Sequence, residues 1–129
     1  YIGKNAVIGD HCLIRESSIG AGCVVGAYTE VARSILMENA KIHYSYLADS
    51  MIGPGAKIGA GLLTTNKRLD RRTIRVQLQN KTIDSQRTAF GVLIGAQAVL
   101  GSRVMTMPGT IIPEKAVILP NQVLPIKSK

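Results

Sequence analysis

Two histidines, His11 and His43, carry the only imidazoles in the chain. An imidazole titrates near neutrality and can take a proton from an attacking nucleophile. His43 opens the run His43-Tyr44-Ser45-Tyr46, where polar and aromatic groups crowd together. Two imidazoles fall short of a three-histidine zinc set, so no metal is expected. Sixteen Lys and Arg against eight Asp and Glu give a formal net charge of +8, which favours an anionic partner. Seven of these cations (Lys67, Arg68, Arg71, Arg72, Arg75, Lys81 and Arg87) fall in one stretch that holds only Asp70 and Asp84. Aromatic residues make up 4% of the chain and no nucleic-acid motif is present. Nucleic acid is therefore disfavoured, whereas a phosphorylated small molecule or coenzyme A fits the charge.

The element that must position these groups is written in a beat of six. Aliphatic residues recur at Ile94, Leu100, Ile112, Ile118 and Leu124, with Thr106 filling the remaining place. The same beat runs Ile2, Ile8, Ile14, slips by one, and resumes at Ile19, Val25 and Val31. A small residue often sits four places after the aliphatic one, as at Ala6, Cys12, Cys23, Ala56, Ala98 and Ala116. A period of six matches neither an α-helix nor a two-sided strand. It is the hexapeptide repeat of a parallel β-helix, an all-β fold. Each hexad forms one flat side of a triangular coil, the aliphatic residue points inward, and coils stack at ~4.8 Å. About eighteen hexads make about six coils. No coil buries its apolar side alone, so stability comes from stacking. Cys12 and Cys23 read as small buried hydrophobes rather than a disulfide.

The beat breaks twice. Hexads shorten between Val31 and Ile52, with inward positions near Leu36, Ile42 and Leu47. A long insertion then occupies about 67–91 and carries the cluster of cations. Within it, Thr73 to Leu78 and Lys81 to Ile83 alternate around Gln79-Asn80, which predicts a short hairpin arm. The arm is either a solvated basic loop, a reach toward a neighbouring subunit, or a cover for an anionic ligand. Residues 1–129 read as one β-helix domain, and the start inside the repeat points to an upstream domain. No run of about 18 apolar residues is present and no signal peptide is visible, so a cytoplasmic location without a membrane span is expected.

The segment His43-Tyr44-Ser45-Tyr46-Leu47-Ala48-Asp49, followed by Ile52-Gly53, Ile58-Gly59-Ala60-Gly61 and Thr64-Thr65-Asn66, resembles a known family. It is similar to the C-terminal acetyltransferase domain of bifunctional glucosamine-1-phosphate acetyltransferase/N-acetylglucosamine-1-phosphate uridylyltransferases. Archaeal-type sugar-1-phosphate nucleotidylyltransferases look closer still, because they share the Asn-x-Arg-Leu-Asp start of the insertion, here Asn66 to Asp70. The resemblance implies a left-handed β-helix, a homotrimer with sites between subunits, and an upstream nucleotidyltransferase domain. It implies transfer of acetyl from acetyl-CoA to the amine of a hexosamine 1-phosphate.

Residue by residue, the resemblance makes His43 the general base. Glu30, under one coil length earlier, is the group that would orient its imidazole. Arg15 matches an arginine that holds the sugar phosphate, a task suited to a guanidinium. Tyr46 and Asn66 match sugar-site residues. Arg33 stands beside Ala32, which occupies the place of a family lysine, and Lys57 replaces a family asparagine. Ser102 matches a position close to the thioester, where a hydroxyl or backbone N–H would stabilise a developing oxyanion. Pro120 is expected near the cofactor, with Lys115, Lys127 and the basic arm toward the CoA phosphates. A second reading is a non-catalytic trimerisation or regulatory β-helix of a sugar-1-phosphate nucleotidylyltransferase.

Overall fold

In the computed structural model, which describes residues 1–125, all regular structure is strand. Three parallel sheets form the sides of a prism, as the period of six requires. The first face stacks Val7–Ile8, Val24–Val25, Lys41–Ile42, Lys57–Ile58, Val99–Leu100 and Val117–Ile118. The second stacks Leu13–Arg15, Glu30–Ala32, Ser45–Ala48, Leu62–Thr64, Met105–Thr106 and Val123–Leu124. The third stacks Ser18–Ile19, Ile35–Leu36, Met51–Ile52, Val92–Ile94 and Thr110–Ile112, with Ile2 bridging to Ile19 at its start. Six rungs result, as the hexad count predicts.

The inward positions of the beat form the core. Ile19, Val25, Val31, Leu36, Ile42, Leu47, Ile52, Ile58, Ile94, Leu100 and Ile112 are all at most 3% exposed. The shortened hexads still place Leu36, Ile42 and Leu47 inside. Shortening therefore takes residues from the corners and leaves the inward contacts intact. Register shows where it happens. Ser18 pairs with Ile35, seventeen positions on, and Leu93 with Ile111, eighteen on. Ile35 pairs with Met51, only sixteen on. The tightest rung is the one that carries His43.

The insertion leaves the fourth rung after Leu62–Thr64 and returns at Val92–Ile94. Arg75–Leu78 and Lys81–Asp84 pair antiparallel around Gln79-Asn80, the expected hairpin. Its base is anchored: Ile74 is 1% and Val76 7% exposed. Both lie over Gly109, where a Cβ would come within 2.8 Å of Ile74 Cγ2. Leu78 and Ile83 near the tip stay exposed. Between the arm's root and the corner at Met107-Pro108 lies a cavity of about 540 Å³ lined by Thr65, Lys67 and Leu69. Beside it Arg68 is held by Asp70 through two bonds of 2.8 and 2.6 Å.

Candidate active site

His43 sits on the edge between the first and second faces, immediately after Lys41–Ile42. On five other rungs this edge turns through a left-handed residue: His11, Tyr28, Gly61, Arg103 and Asn121. On the shortened rung neither His43 nor Tyr44 has positive φ. The place of His43 is held by Gly9, Gly26, Gly59 and Gly101 on other rungs. There backbones pack directly on one another: a Cβ on Gly59 would lie 2.8 Å from the carbonyl carbon of Gly101 and the nitrogen of Ser102. The tighter turn thus carries an imidazole at a level of the edge where the repeat otherwise uses glycine. His43 is exposed and lines a groove of about 270 Å³ with Lys41, Lys57 and Val99. Lys41 and Lys57 are direct neighbours on the first face, and both lysines line this groove with His43.

The same edge carries Ser102 and Pro120 on the fifth and sixth rungs. The Asn121 N–H donates to the Ser102 carbonyl at 2.9 Å, fixing the two corners together. Both Ser102 and Pro120 are exposed. From His43 to Ser102 is two rungs, about 10 Å of axial rise.

A second groove, of about 360 Å³, runs along the second face on the other side of that edge. Tyr28, Tyr44, Tyr46 and Glu30 line it, with Gly61 and Leu63. Glu30 Oε1 accepts a hydrogen bond from Arg15 Nη2 at 2.8 Å. Register pairs Glu30 with Tyr46, and among the described residues no hydrogen bond joins Glu30 to His43. The expected Glu30, Arg15 and Tyr46 are therefore brought together, while His43 lines the adjoining groove. Ser45 Oγ, buried in the strand between Tyr44 and Tyr46, has no hydrogen-bond partner. Thr29, at the same place one rung earlier, reaches the carbonyls of Gly26 and His43. The shortened turn displaces Ser45 from the equivalent bonds.

Arg33 and Asn66 lie on the next edge, between the second and third faces. Serines build this edge. Ser17, Ser34 and Ser50 each donate Oγ–H to the carbonyl two residues back. Each also accepts the N–H of the rung above, from Ser34, Ser50 and Val92 respectively. Glu16, Arg33 and Asp49 precede these serines with positive φ and form a column of alternating charge. Arg33 donates to Asp49 from Nε at 2.8 Å and from Nη2 at 3.1 Å. Asn66 Nδ2 donates to the same carboxylate at 2.6 Å. Burial pushes the Asp49 carboxyl up, but the hydrogen bonds from Arg33 and Asn66 and the guanidinium charges of Arg33 and Arg87 outweigh it and hold it below the usual aspartate value. The same pair raises the Arg33 guanidinium. A groove of about 340 Å³ beside them is lined by Arg87 and Phe90.

Sequence reasoning did not select Asp49, Lys41, Tyr28 or Tyr44. Asp49 stands inside the motif quoted for the resemblance. Arg33 and Asn66 lie sixteen and seventeen positions from it, the one-rung spacing that signals a stacked pair.

A six-rung prism with a histidine at the one shortened turn of the edge between its first and second faces belongs to the hexapeptide-repeat β-helices. More narrowly, residues 1–128 match the model of the family described as the GMPPB C-terminal domain, and the chain belongs to that family. It is 37% identical over 95% of its length to a bifunctional sugar-1-phosphate nucleotidylyltransferase/acetyltransferase of Sulfurisphaera tokodaii. It is likewise 37% identical over 83% of its length to a bifunctional protein GlmU of Methanocaldococcus jannaschii. The chain spans 29% and 25% of those two proteins. These matches bear out the resemblance to the archaeal-type proteins.

Proposed function

We propose that the chain is an acetyltransferase module that moves acetyl from acetyl-CoA to the amine of a hexosamine 1-phosphate, working as a homotrimer in the cytoplasm. The observation that carries this reading is the single edge shared by exposed His43, Ser102 and Pro120. His43 takes the proton as the amine nitrogen attacks the thioester carbonyl. The N–C bond forms, the C–S bond breaks, and the leaving thiolate takes up a proton. Ser102 offers its hydroxyl or backbone N–H to the oxyanion of the tetrahedral intermediate. CoA lies along the edge toward Pro120, with Lys115 and the arm toward its phosphates; Lys127 falls outside the described residues. Lys57, with Lys41, adds positive charge next to the imidazole.

The remaining residues support a site shared between subunits. Glu30 and Tyr46 flank the edge of His43, and the Arg15 guanidinium reaches Glu30 from the far end of its strand, while Arg33 and Asn66 lie on the opposite edge of the second face. Two edges of one prism point apart, and packing a neighbour alongside brings one edge against the other. Arg15 then meets the sugar phosphate, with its Glu30 partner beside the ring.

The test is thiol release from acetyl-CoA in the presence of glucosamine 1-phosphate. Wild type should release thiol, and His43→Ala should cut kcat by about 10²–10⁴-fold. Release that ignores the substitution removes His43 from the mechanism. No release with any hexosamine phosphate leaves an assembly or regulatory domain as the better reading.

A further inference from the structure

The aromatic side chains on the edge between the first and second faces are not explained by acyl transfer. His11 and Tyr28 occupy the same corner position on successive rungs, and their rings stack with centroids 5.2 Å apart and 20° between planes. Tyr44 stands one place earlier on the shortened next rung and lines the same groove as Tyr28; Tyr28 and Tyr44 are 68% and 59% exposed. Packing does not require rings there, because the core of this prism is aliphatic. Left-handed backbone at His11 and Tyr28 is also a costly setting for a side chain. The left-handed position on the following rung is Gly61, which adds no side chain to the groove lined by Tyr28, Tyr44, Tyr46 and Glu30.

An exposed aromatic wall facing a carboxylate is the chemistry of pyranose recognition. Ring C–H groups pack on the aromatic faces, and hydroxyls donate to the carboxylate. Glu30 engages Arg15 through Oε1 alone, so Oε2 is available for a hydroxyl. We infer that Tyr28 and Tyr44 form the wall of a hexose subsite, with the ring seated over Gly61 and its phosphate toward Arg15. This rests on the acyl-acceptor reading above for the class of sugar, and it adds the two residues that select a ring over a bare anion.

The experiment is calorimetric titration of the chain with glucosamine 1-phosphate, and separately with inorganic phosphate, for wild type, Tyr28→Ala, Tyr44→Ala and Tyr44→Phe. Each alanine variant should bind the sugar phosphate about three- to tenfold more weakly, with phosphate affinity unchanged and Tyr44→Phe close to wild type. Both side chains are exposed, so thermal unfolding should not move. Unchanged sugar binding in both alanine variants overturns the inference. So does equal weakening toward inorganic phosphate, or no sugar binding by wild type. Thiol release is read separately: a chain that binds the sugar through these tyrosines but releases no thiol keeps the subsite and loses the acyl-transfer reading.

Discussion

Asp49 grips Arg33 through two hydrogen bonds, Nε to Oδ1 at 2.8 Å and Nη2 to Oδ2 at 3.1 Å, across one rung of the prism. The Asp49 side chain is 5% exposed and that of Arg33 38%, so the carboxylate is sheltered while the guanidinium meets solvent. Asp49→Asn should destabilise the chain by about 1–2 kcal/mol, the range for charged hydrogen bonds discounted for solvent at Arg33. The pH dependence has a definite sign. The folded carboxyl titrates below its unfolded value, so its contribution is complete above the unfolded pKa and disappears as pH falls through the folded one. Urea midpoints of wild type and Asp49→Asn should differ most at neutral pH and converge below about pH 4. A gap that is constant down to pH 2 would contradict this.

Ser50 anchors the rung that receives the returning insertion. Its Oγ donates to Ala48 O at 2.7 Å and accepts the buried Val92 N–H at 2.9 Å. Ser50→Ala strands that N–H, at a cost of about 1–3 kcal/mol. Ser17→Ala sits on a more open rung and should cost less. Thermal unfolding of the two variants checks the order, and equal shifts would argue against a load graded by burial.

The repeat made most of the fold legible, because each inward aliphatic residue marks a face and the count of hexads sets the number of rungs. The hairpin was legible from alternation around Gln79-Asn80. The grouping of the site was less so. Which side chains share an edge depends on how many residues each turn spends, and the turn at His43-Tyr44 spends one fewer. Glu30 and His43 are thirteen apart, whereas the pairs that meet lie fifteen to seventeen apart, as in Arg15 with Glu30 and Asn66 with Asp49. Register accordingly sets Tyr46 beside Glu30. Asp49 escaped notice because a corner aspartate with positive φ looks like turn chemistry until its two donors are placed.

Ile74 ties the arm to the prism. It is 1% exposed and contacts the space over Gly109. Ile74→Ala removes about 2–4 kcal/mol of packing, yet the six-rung core does not depend on the arm. Loss should therefore be local: amides of Arg75–Asp84 should exchange hydrogen faster, by a factor of at least about ten, while those of the core strands stay protected. Uniformly faster exchange would mean that arm and prism unfold together.

Mixing two dead variants tests the shared site directly. His43→Ala removes the proposed base from one edge, and Asn66→Ala removes a group on the opposite edge of the second face. Asn66 is half-buried and bonds Asp49, so both variants should first be shown to fold and to form trimers. Each alone should release little thiol. In trimers assembled from equal amounts of the two, an interface that pairs the intact His43 of one chain with the intact Asn66 of the other is restored. Random assembly makes about a quarter of the interfaces of that kind, so activity should return to about that fraction of wild type. A site contained within one chain gives no recovery at any mixing ratio, because every chain then carries a lesion in its own site. Recovery would place the imidazole and the Asn66 edge on different subunits, and its absence would remove the neighbour from the mechanism.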